Sequence, residues 1–518
     1  RAATTLRTYL EKITGVKCAA VTSAAAAANV QGSRIFVGVE GNQAELFPEL
    51  KNADAHGFVI ATKPGPHGTD LYLVGASGTA TVYATWFFLM NYADVRLVLP
   101  GEIGEVYPKL DRLEIPKDLY VFNPRPDYLL RIWSGPAGMP QDAFLGDYGG
   151  TQRFEYHHNM YRIYPPDKFG QTNPEFYPVK EGKPFVPDPK SNSAWQPTFS
   201  EPSVAQRAIA YADELFTKNP QMMSVSLSVN DGLGYSEADM RKGKLLPDGS
   251  ITLSHIYYAY VNTVAKAVKQ KWPGKFVAFF PYNFVRTPPD FPLEDNVIIF
   301  LLNEPKTTYA AWQDKVKNIG IYQWLYGMGW VIPNHWPHAM QDYLRWTRQH
   351  GGKAFKGEAY VAWAQDGPKM WVLSNLLWNV DADVDALLRD YCEHAYGKEA
   401  APAMLRYFSQ AEKIYERRRT PEEYKITYWH PGEKQFEHAQ AEDFTLMAQA
   451  LDEAARLVQG EANKTRVDFV ARSFQWGRYY WQQYDALQRL NSATAQSDAE
   501  VENVLKLALS FDEAARVR

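Results

Sequence analysis

Carboxylates and amides recur in this chain where an apolar run gives way to turn-forming residues. Asn230 and Asp231 close the run Ser224-Val225-Ser226-Leu227-Ser228-Val229, just ahead of Gly232. Asn303 and Glu304 follow Val297–Leu302, and Glu358 lies near the end of Ala354–Tyr360. Two carboxyl groups facing one space suit the hydrolysis of a sugar linkage. One protonates the leaving oxygen, and the other stabilises or attacks the anomeric carbon. The candidate catalytic set is therefore Asp231, Asn230, Glu358 and Glu304. Asn-Asp-Gly is also an ordinary turn sequence, and Glu304, ahead of Pro305, also suits a helix start. Glu358 sits in an otherwise apolar strand end, where an unpaired carboxylate is costly to bury, which argues for chemistry.

The neighbouring strand ends carry groups that suit a sugar. Arg131 and Trp133 end the first, and His157 and His158 the second. Tyr282 ends another, and Asn303, Tyr322 and Trp324 follow. Trp363 lies just beyond Tyr360, and the loop bearing His335 and Trp336 adds to the same rim. Aromatic rings offer flat apolar faces to a pyranose, while Asn, His and Arg satisfy its hydroxyls. A hydrogen-bonded core position is the competing reading for His157 and His158. A metal site is not expected: no two His stand at i, i+4 with a partner, and adjacent histidines on a strand point apart. Gly75-Ala76-Ser77-Gly78 lacks dinucleotide-binding spacing and reads as a tight turn, so no cofactor is expected.

These residues need a scaffold that gathers strand ends. At 518 residues, two or three domains are expected. A hydrophobic fraction of 46% with 22% charged residues describes a globular chain with ample core. The net charge of −4 implies neither a nucleic-acid footprint nor a polybasic membrane patch. The longest apolar run, around Ala84–Met90, is too short to span a bilayer. Two cysteines, Cys18 and Cys392, exclude a disulfide framework.

Residues 1–122 read as a small α/β domain with helices at Thr5–Thr14 and Gly78–Tyr92. Its strands are expected at Arg34–Val39, Asp70–Gly75 and Val95–Leu99. Residues 123–386 repeat strand then helix. The strands are expected at Tyr128–Trp133, Phe154–His157, Trp195–Phe199, Met223–Val229, Phe276–Tyr282, Val297–Leu302, Gly320–Leu325 and Ala354–Tyr360. Eight strands with intervening helices give the α/β class and a (β/α)8 barrel, whose strand C-termini converge on one face. The long stretch Asn159–Ala194 is expected to cover a site. Residues 387–518 read as a C-terminal helical bundle: Pro402–Arg418, Ala439–Val458, Lys464–Arg489 and Ala499–Val517.

Several motifs resemble known families. Leu6-Arg7-Thr8-Tyr9-Leu10-Glu11-Lys12-Ile13-Thr14-Gly15 and Gly78-Thr79-Ala80-Thr81-Val82-Tyr83-Ala84 resemble the small domain preceding the barrel in α-glucuronidases and β-hexosaminidases. His157-His158-Asn159, Asn173-Pro174-Glu175-Phe176-Tyr177, Ser226–Asp231 and Asp366-Gly367-Pro368-Lys369 are similar to a barrel family long labelled only as a domain of unknown function. Its characterised members include endo-β-N-acetylglucosaminidases of glycoside hydrolase family 163. The resemblance implies that Asn230 orients a substrate acetamide and Asp231 protonates the leaving group. It also implies a glycan partner and a secreted or periplasmic bacterial location. Where related hexosaminidases have a consecutive acidic pair, this chain has Asn-Asp, which favours an ordinary pairing of Asp231 with Glu358 or Glu304. Their separation would then report retention, at about 5 Å, or inversion, at about 6.5–9.5 Å.

Two other functions are compatible with these residues. Arg131, Arg153 and Arg162 could clamp the carboxylate of a uronic or sialic acid, giving an exo-acting hydrolase of acidic sugars. A carbohydrate-binding protein on a catalytically silent barrel would keep the aromatics and dispense with the acid.

Overall fold

A computed structural model of the chain describes residues 1–22, 30, 32–38, 43–134, 154–302, 306–325, 327, 329–418, 432–491, 498–499, 501–502 and 506. Near the N-terminus, strands β1 (Ile35–Val37), β2 (Phe58–Gly65), β3 (Gly68–Gly75) and β4 (Tyr120–Asn123) form one sheet in the order β1-β3-β2-β4. β2 and β3 pair antiparallel through a tight turn, and β1 runs parallel to β3. Helices α1 (Ala2–Thr14) and α2 (Gly78–Tyr92) cover one face, burying Leu6, Ile13, Phe88 and Leu89 with Phe58, Ile60 and Leu73. The Ser77 hydroxyl caps α2 by accepting from the Ala80 amide. β2 and β4 are additions to the expected strands. The expected Val95–Leu99 strand shrinks to Arg96–Leu97, paired with Glu105–Val106.

Six further strands form a wholly parallel sheet: β5 (Leu130–Ser134), β6 (Ser224–Ser226), β7 (Phe276–Phe279), β8 (Val297–Leu302), β9 (Asn318–Trp324) and β10 (Gly352–Glu358). Their order is β6-β7-β8-β9-β10-β5. The sheet curls on itself, because one cluster joins Leu130 of β5, Ala278 of β7, Phe300 of β8, Tyr322 of β9 and Ala354 of β10. Gly320 permits this close approach: a Cβ there would stand 2.7 Å from the Phe300 ring. The outward faces of the strands pack on α3 (Pro202–Lys218), α4 (Ser254–Lys271), α5 (Lys306–Gln313), α6 (Pro337–Gln349) and α7 (Trp363–Leu376).

The alternation around β6 has a use on each face. Val225, Leu227 and Val229 are buried in the outer core with the helices. The hydroxyls of Ser224, Ser226 and Ser228 donate to the carbonyls of Glu155, His157 and Tyr156. Residues 154–158 thereby lie against β6 with a single bridge, His158 to Ser228, in place of a ladder. Phe154 and Tyr156 still reach the inner cluster.

Six of the eight expected strands are present and Phe154–His157 is this bridged segment, but Trp195–Phe199 is not a strand. Its polar groups serve loops instead: Gln196 N–H donates to Gly234 O, Thr198 N–H to Phe176 O, and Trp195 O accepts from the Asn230 side chain. The described residues therefore form an open, curled parallel sheet. Asp231 follows the third inner segment rather than the fourth strand.

Helices α8 (Val384–Tyr396), α9 (Ala401–Arg418), α10 (Ala441–Leu457) and α11 (Glu461–Asn491) pack together and against the sheet domain. Most of the expected helix Ala499–Val517 lies outside the described residues. Among the described residues no helix is long and apolar enough to cross a membrane, and both cysteines are free.

Candidate active site

Asp231 stands at the mouth of the curled sheet, with its side chain 54% exposed. Its Oδ1 accepts from the Tyr282 hydroxyl at 2.9 Å and from the Gly232 amide at 2.8 Å. The backbone bridges Ser193, so the long Asn159–Ala194 stretch does reach the mouth. Asn283 takes a left-handed φ of 53° and donates from its amide to Gly232 O, fixing the turn that carries the acid. Desolvation, then the Asp231 carboxylate, raises the pKa of Tyr282, which keeps that phenol a donor.

Asn230 behaves differently from its neighbour. It is completely buried: Oδ1 accepts from Tyr161 N–H at 2.9 Å, and Nδ2 donates to Trp195 O at 3.0 Å. Gln196 brackets its backbone on both sides. Every polar atom of this amide serves the fold, so the expected acetamide-orienting role for Asn230 is corrected to a structural one.

Glu358, half-buried at the end of β10, accepts from the Tyr322 hydroxyl at 2.8 Å. Tyr360, two residues on, also pairs with it and has a φ of 36°. A bulky residue in that region stores strain, and such strain gathers at functional sites.

His158 stands beside Asp231. Its Nδ1 donates to Val229 O, which leaves Nε2 facing Asp231 Oδ1 at 4.0 Å. Desolvation lowers its pKa, opposed by that backbone bond and by the charges of both Asp231 and Glu358. One imidazole thus feels both acids. The ring packs on Phe280 and Tyr282. His157 is open to water yet has protein on most sides. Desolvation, then the Lys356 ammonium, lowers its pKa below the ordinary histidine value, and its Nε2 pairs with the Tyr156 hydroxyl at 2.8 Å. Two imidazoles, four phenols and two carboxylates therefore gather at the strand ends.

Other expected site residues are placed elsewhere. Arg131 is 1% exposed and stacks between Tyr83 and Trp378, 5.4 and 4.6 Å from the ring centroids. Its Nη1 donates to Tyr128 O. Leu130 takes the inner face of β5, so alternation turns Arg131 outward, and its expected sugar-binding role is corrected. His335 is also buried, against Phe408 of α9, and is corrected likewise. Trp324 is half-buried and bridges the inner cluster to the helical one. Trp363 opens α7 and borders a separate cleft with Leu99, Ile103 and Phe469. For Trp133 only the backbone is described, in register with Gly357. Asn303, Glu304 and Arg153 lie outside the described residues.

Three residues join the expected set. Tyr156 lines the mouth between His157 and Tyr322. Glu155 borders the same opening, and desolvation raises its pKa. Lys356 lies on the inner face beneath Glu358. Its sequence signal is parity, since Ala354, Lys356 and Glu358 are two apart on one strand. Among the described residues no cluster of His, Cys, Asp and Glu could hold a metal ion.

The fold is similar to that of a solved family GH115 4-O-methyl-α-glucuronidase specific for decorated arabinogalactans. The TM-score is 0.61 at 11% identity, over 99% of this chain and 74% of that one. A family 89 glycoside hydrolase from Clostridium perfringens aligns at a TM-score of 0.47 and 11% identity, over 98% of this chain and 64% of that one. At such identities the first likeness speaks for the fold alone: an α/β architecture shared with that structure. No curated protein sequence matches the chain. A family model matches residues 99–409, more than half of the sequence, and the chain belongs to that family, described as Domain of unknown function (DUF4838).

Proposed function

We propose that the protein is a glycoside hydrolase in which Asp231 protonates the departing oxygen and Glu358 supports the anomeric carbon. The observation that carries this reading is that Asp231 and Glu358 each accept from a phenol, Tyr282 and Tyr322, and that these two rings pack on the same Phe280. Asp231 is open to water and can recover a proton from it. Glu358, less exposed, receives two phenol donors, Tyr322 and Tyr360, against the one at Asp231, which suits an anion facing developing positive charge. Tyr156, Tyr282 and the two imidazoles offer ring faces and hydrogen bonds to a sugar. The shared fold with a glycoside hydrolase adds to this support.

A glycan containing N-acetylhexosamine is the substrate class we assign, from the family motifs at His157–Asn159 and Ser226–Asp231. The acetamide must be met by groups other than Asn230. The acidic-sugar reading loses Arg131 and retains Arg162, exposed beside the mouth.

The test is a panel of chromogenic N-acetylglucosaminides, glucuronides and sialosides with the wild type, Asp231→Asn and Glu358→Gln. Hydrolysis of the first class, falling about 10²–10⁴-fold in both variants at unchanged melting temperature, is the expected result. Glycan binding with no turnover, unaffected by either substitution, would make this a binding protein. Preferential cleavage of glucuronides or sialosides would reassign the substrate.

A further inference from the structure

One buried charge has no part in the chemistry above. Lys356 precedes Glu358 by two residues on β10, so both side chains take the inner face, with Ala354 one step deeper. Lys356 is 0% exposed, and its Nζ has no hydrogen-bond partner among the described residues. The ammonium lies instead 5.2 Å from the Tyr156 ring centroid and 5.8 Å from that of Tyr322. Ring faces offset only part of an ammonium's lost hydration, so an unbonded buried lysine needs a further reason to persist.

The charged and titratable groups around it are few. Tyr322 faces it from β9, and Tyr156 and His157 face it from the bridged segment. On β5 the backbone of residue 132 is its register partner. Among these described neighbours, Glu358 alone brings negative charge, and that charge opposes the effect of burial on the amine. The same Tyr322 that lies beside the ammonium donates its hydroxyl to Glu358. Lysine, phenol and carboxylate thus form one stacked unit, with the carboxylate outermost.

We propose that Lys356 is a positioning residue, the buried counter-charge of Glu358, and that the site is fully assembled only while this amine holds its proton. The inference rests on the hydrolytic reading given above. With the ammonium in place, the Glu358 carboxylate is drawn toward the floor formed by Tyr322. Without it, no opposite charge lies beneath the carboxylate and its orientation is left to the phenols. Burial brings the Lys356 pKa down to about 7, within the range where the switch matters.

Two measurements test this, and only one needs turnover. In protein labelled with [13C]lysine, the Cε resonance that vanishes in Lys356→Met reports this amine. Its titration midpoint is expected near neutrality, and lower in Glu358→Gln; an identical midpoint in that variant would overturn the pairing. In the second, kcat/KM is followed across pH 5.5–9.5 on the substrate that the wild type cleaves. The wild type is expected to lose activity as pH rises through the amine's midpoint. Lys356→Arg should move that loss to higher pH. Lys356→Met removes one partner of a buried pair and costs stability, so it is assayed well below its own melting transition, where it should lower kcat about tenfold or more with KM within about twofold. A Lys356→Met enzyme with wild-type kcat and the same alkaline fall would refute the proposal. If Glu358→Gln is fully active, the hydrolytic reading fails instead, and the resonance titration still decides whether the two side chains are paired.

Discussion

Asn230→Ala separates a structural amide from a catalytic one. The substitution removes two hydrogen bonds, from Tyr161 N–H at 2.9 Å and to Trp195 O at 3.0 Å. The Trp195 carbonyl left behind belongs to a residue 1% exposed and the Tyr161 amide to a half-buried one, so water has limited access to both. A stranded backbone donor and a stranded acceptor cost about 1–3 kcal/mol each, which gives about 2–6 kcal/mol for the variant. In a domain of this size about 2 °C is lost per kcal/mol, so the melting temperature should fall by about 4–12 °C. The assay is a thermal scan of wild type, Asn230→Ala and Asp231→Asn at one scan rate, with turnover measured well below the lowest transition. Asp231→Asn should melt like the wild type and lose turnover; Asn230→Ala should do the reverse, keeping most of its kcat where it is folded. An Asn230→Ala protein that melts within a degree of wild type, yet is as inactive as Asp231→Asn, would refute the argument. It would return Asn230 to the reacting groups.

Two other perturbations are equally direct. His338 pairs with Glu412 of α9 at 2.9 Å and with Asp385 at 3.4 Å, and these bonds, Glu412 first, raise its pKa to about 8. A folded pKa above the unfolded value of about 6.5 means this contribution is complete below pH 6.5 and fades as pH rises through 8. The melting temperature should therefore decline over that interval, and less so in His338→Gln; equal slopes would dismiss the pairing. Lys369 and Asp366 form a buried ion pair at 2.8 Å, with Nζ also donating to Leu325 O and Asn334 O. Lys369→Met leaves a buried carboxylate alone and should cost about 3–5 kcal/mol by chemical denaturation, while adding Asp366→Leu should recover part of it.

Strand periodicity made the positions of Asp231, Tyr282, Tyr322 and Glu358 legible, because a period-two run that ends in turn residues places the last side chains at a rim. It did not say which face of each strand is the inner one. Arg131 and Leu130 are neighbours in an evenly apolar run, and only the closed packing against Phe300 and Ala354 makes Leu130 the inner residue. Asn230 and Asp231 pose the same problem at a turn, where one side chain is absorbed by Tyr161 and Trp195 while the next meets water. Trp195–Phe199 has the composition of a strand, but its hydrogen bonds go to Gly234, Phe176 and Asn230, partners far along the chain that local pattern does not reveal. Lys356 was readable in principle from its parity with Glu358. Its burial depends on Tyr156 and Tyr322 arriving from elsewhere.

Arg131 also bears on how this protein can be divided. Its guanidinium is clasped by Tyr83 from the N-terminal layer and by Trp378 from beyond α7. Arg96 meanwhile grips Asp390 of α8, and Arg466 of α11 reaches the carbonyl of Ile103. A fragment trimmed to begin near residue 123 would strip Tyr83 from the aromatic cover of an interior cation, leave Asp390 without Arg96 and take from Arg466 one of its carbonyl acceptors. Expression boundaries drawn from the family match alone, starting at residue 99, would cut through this riveted seam.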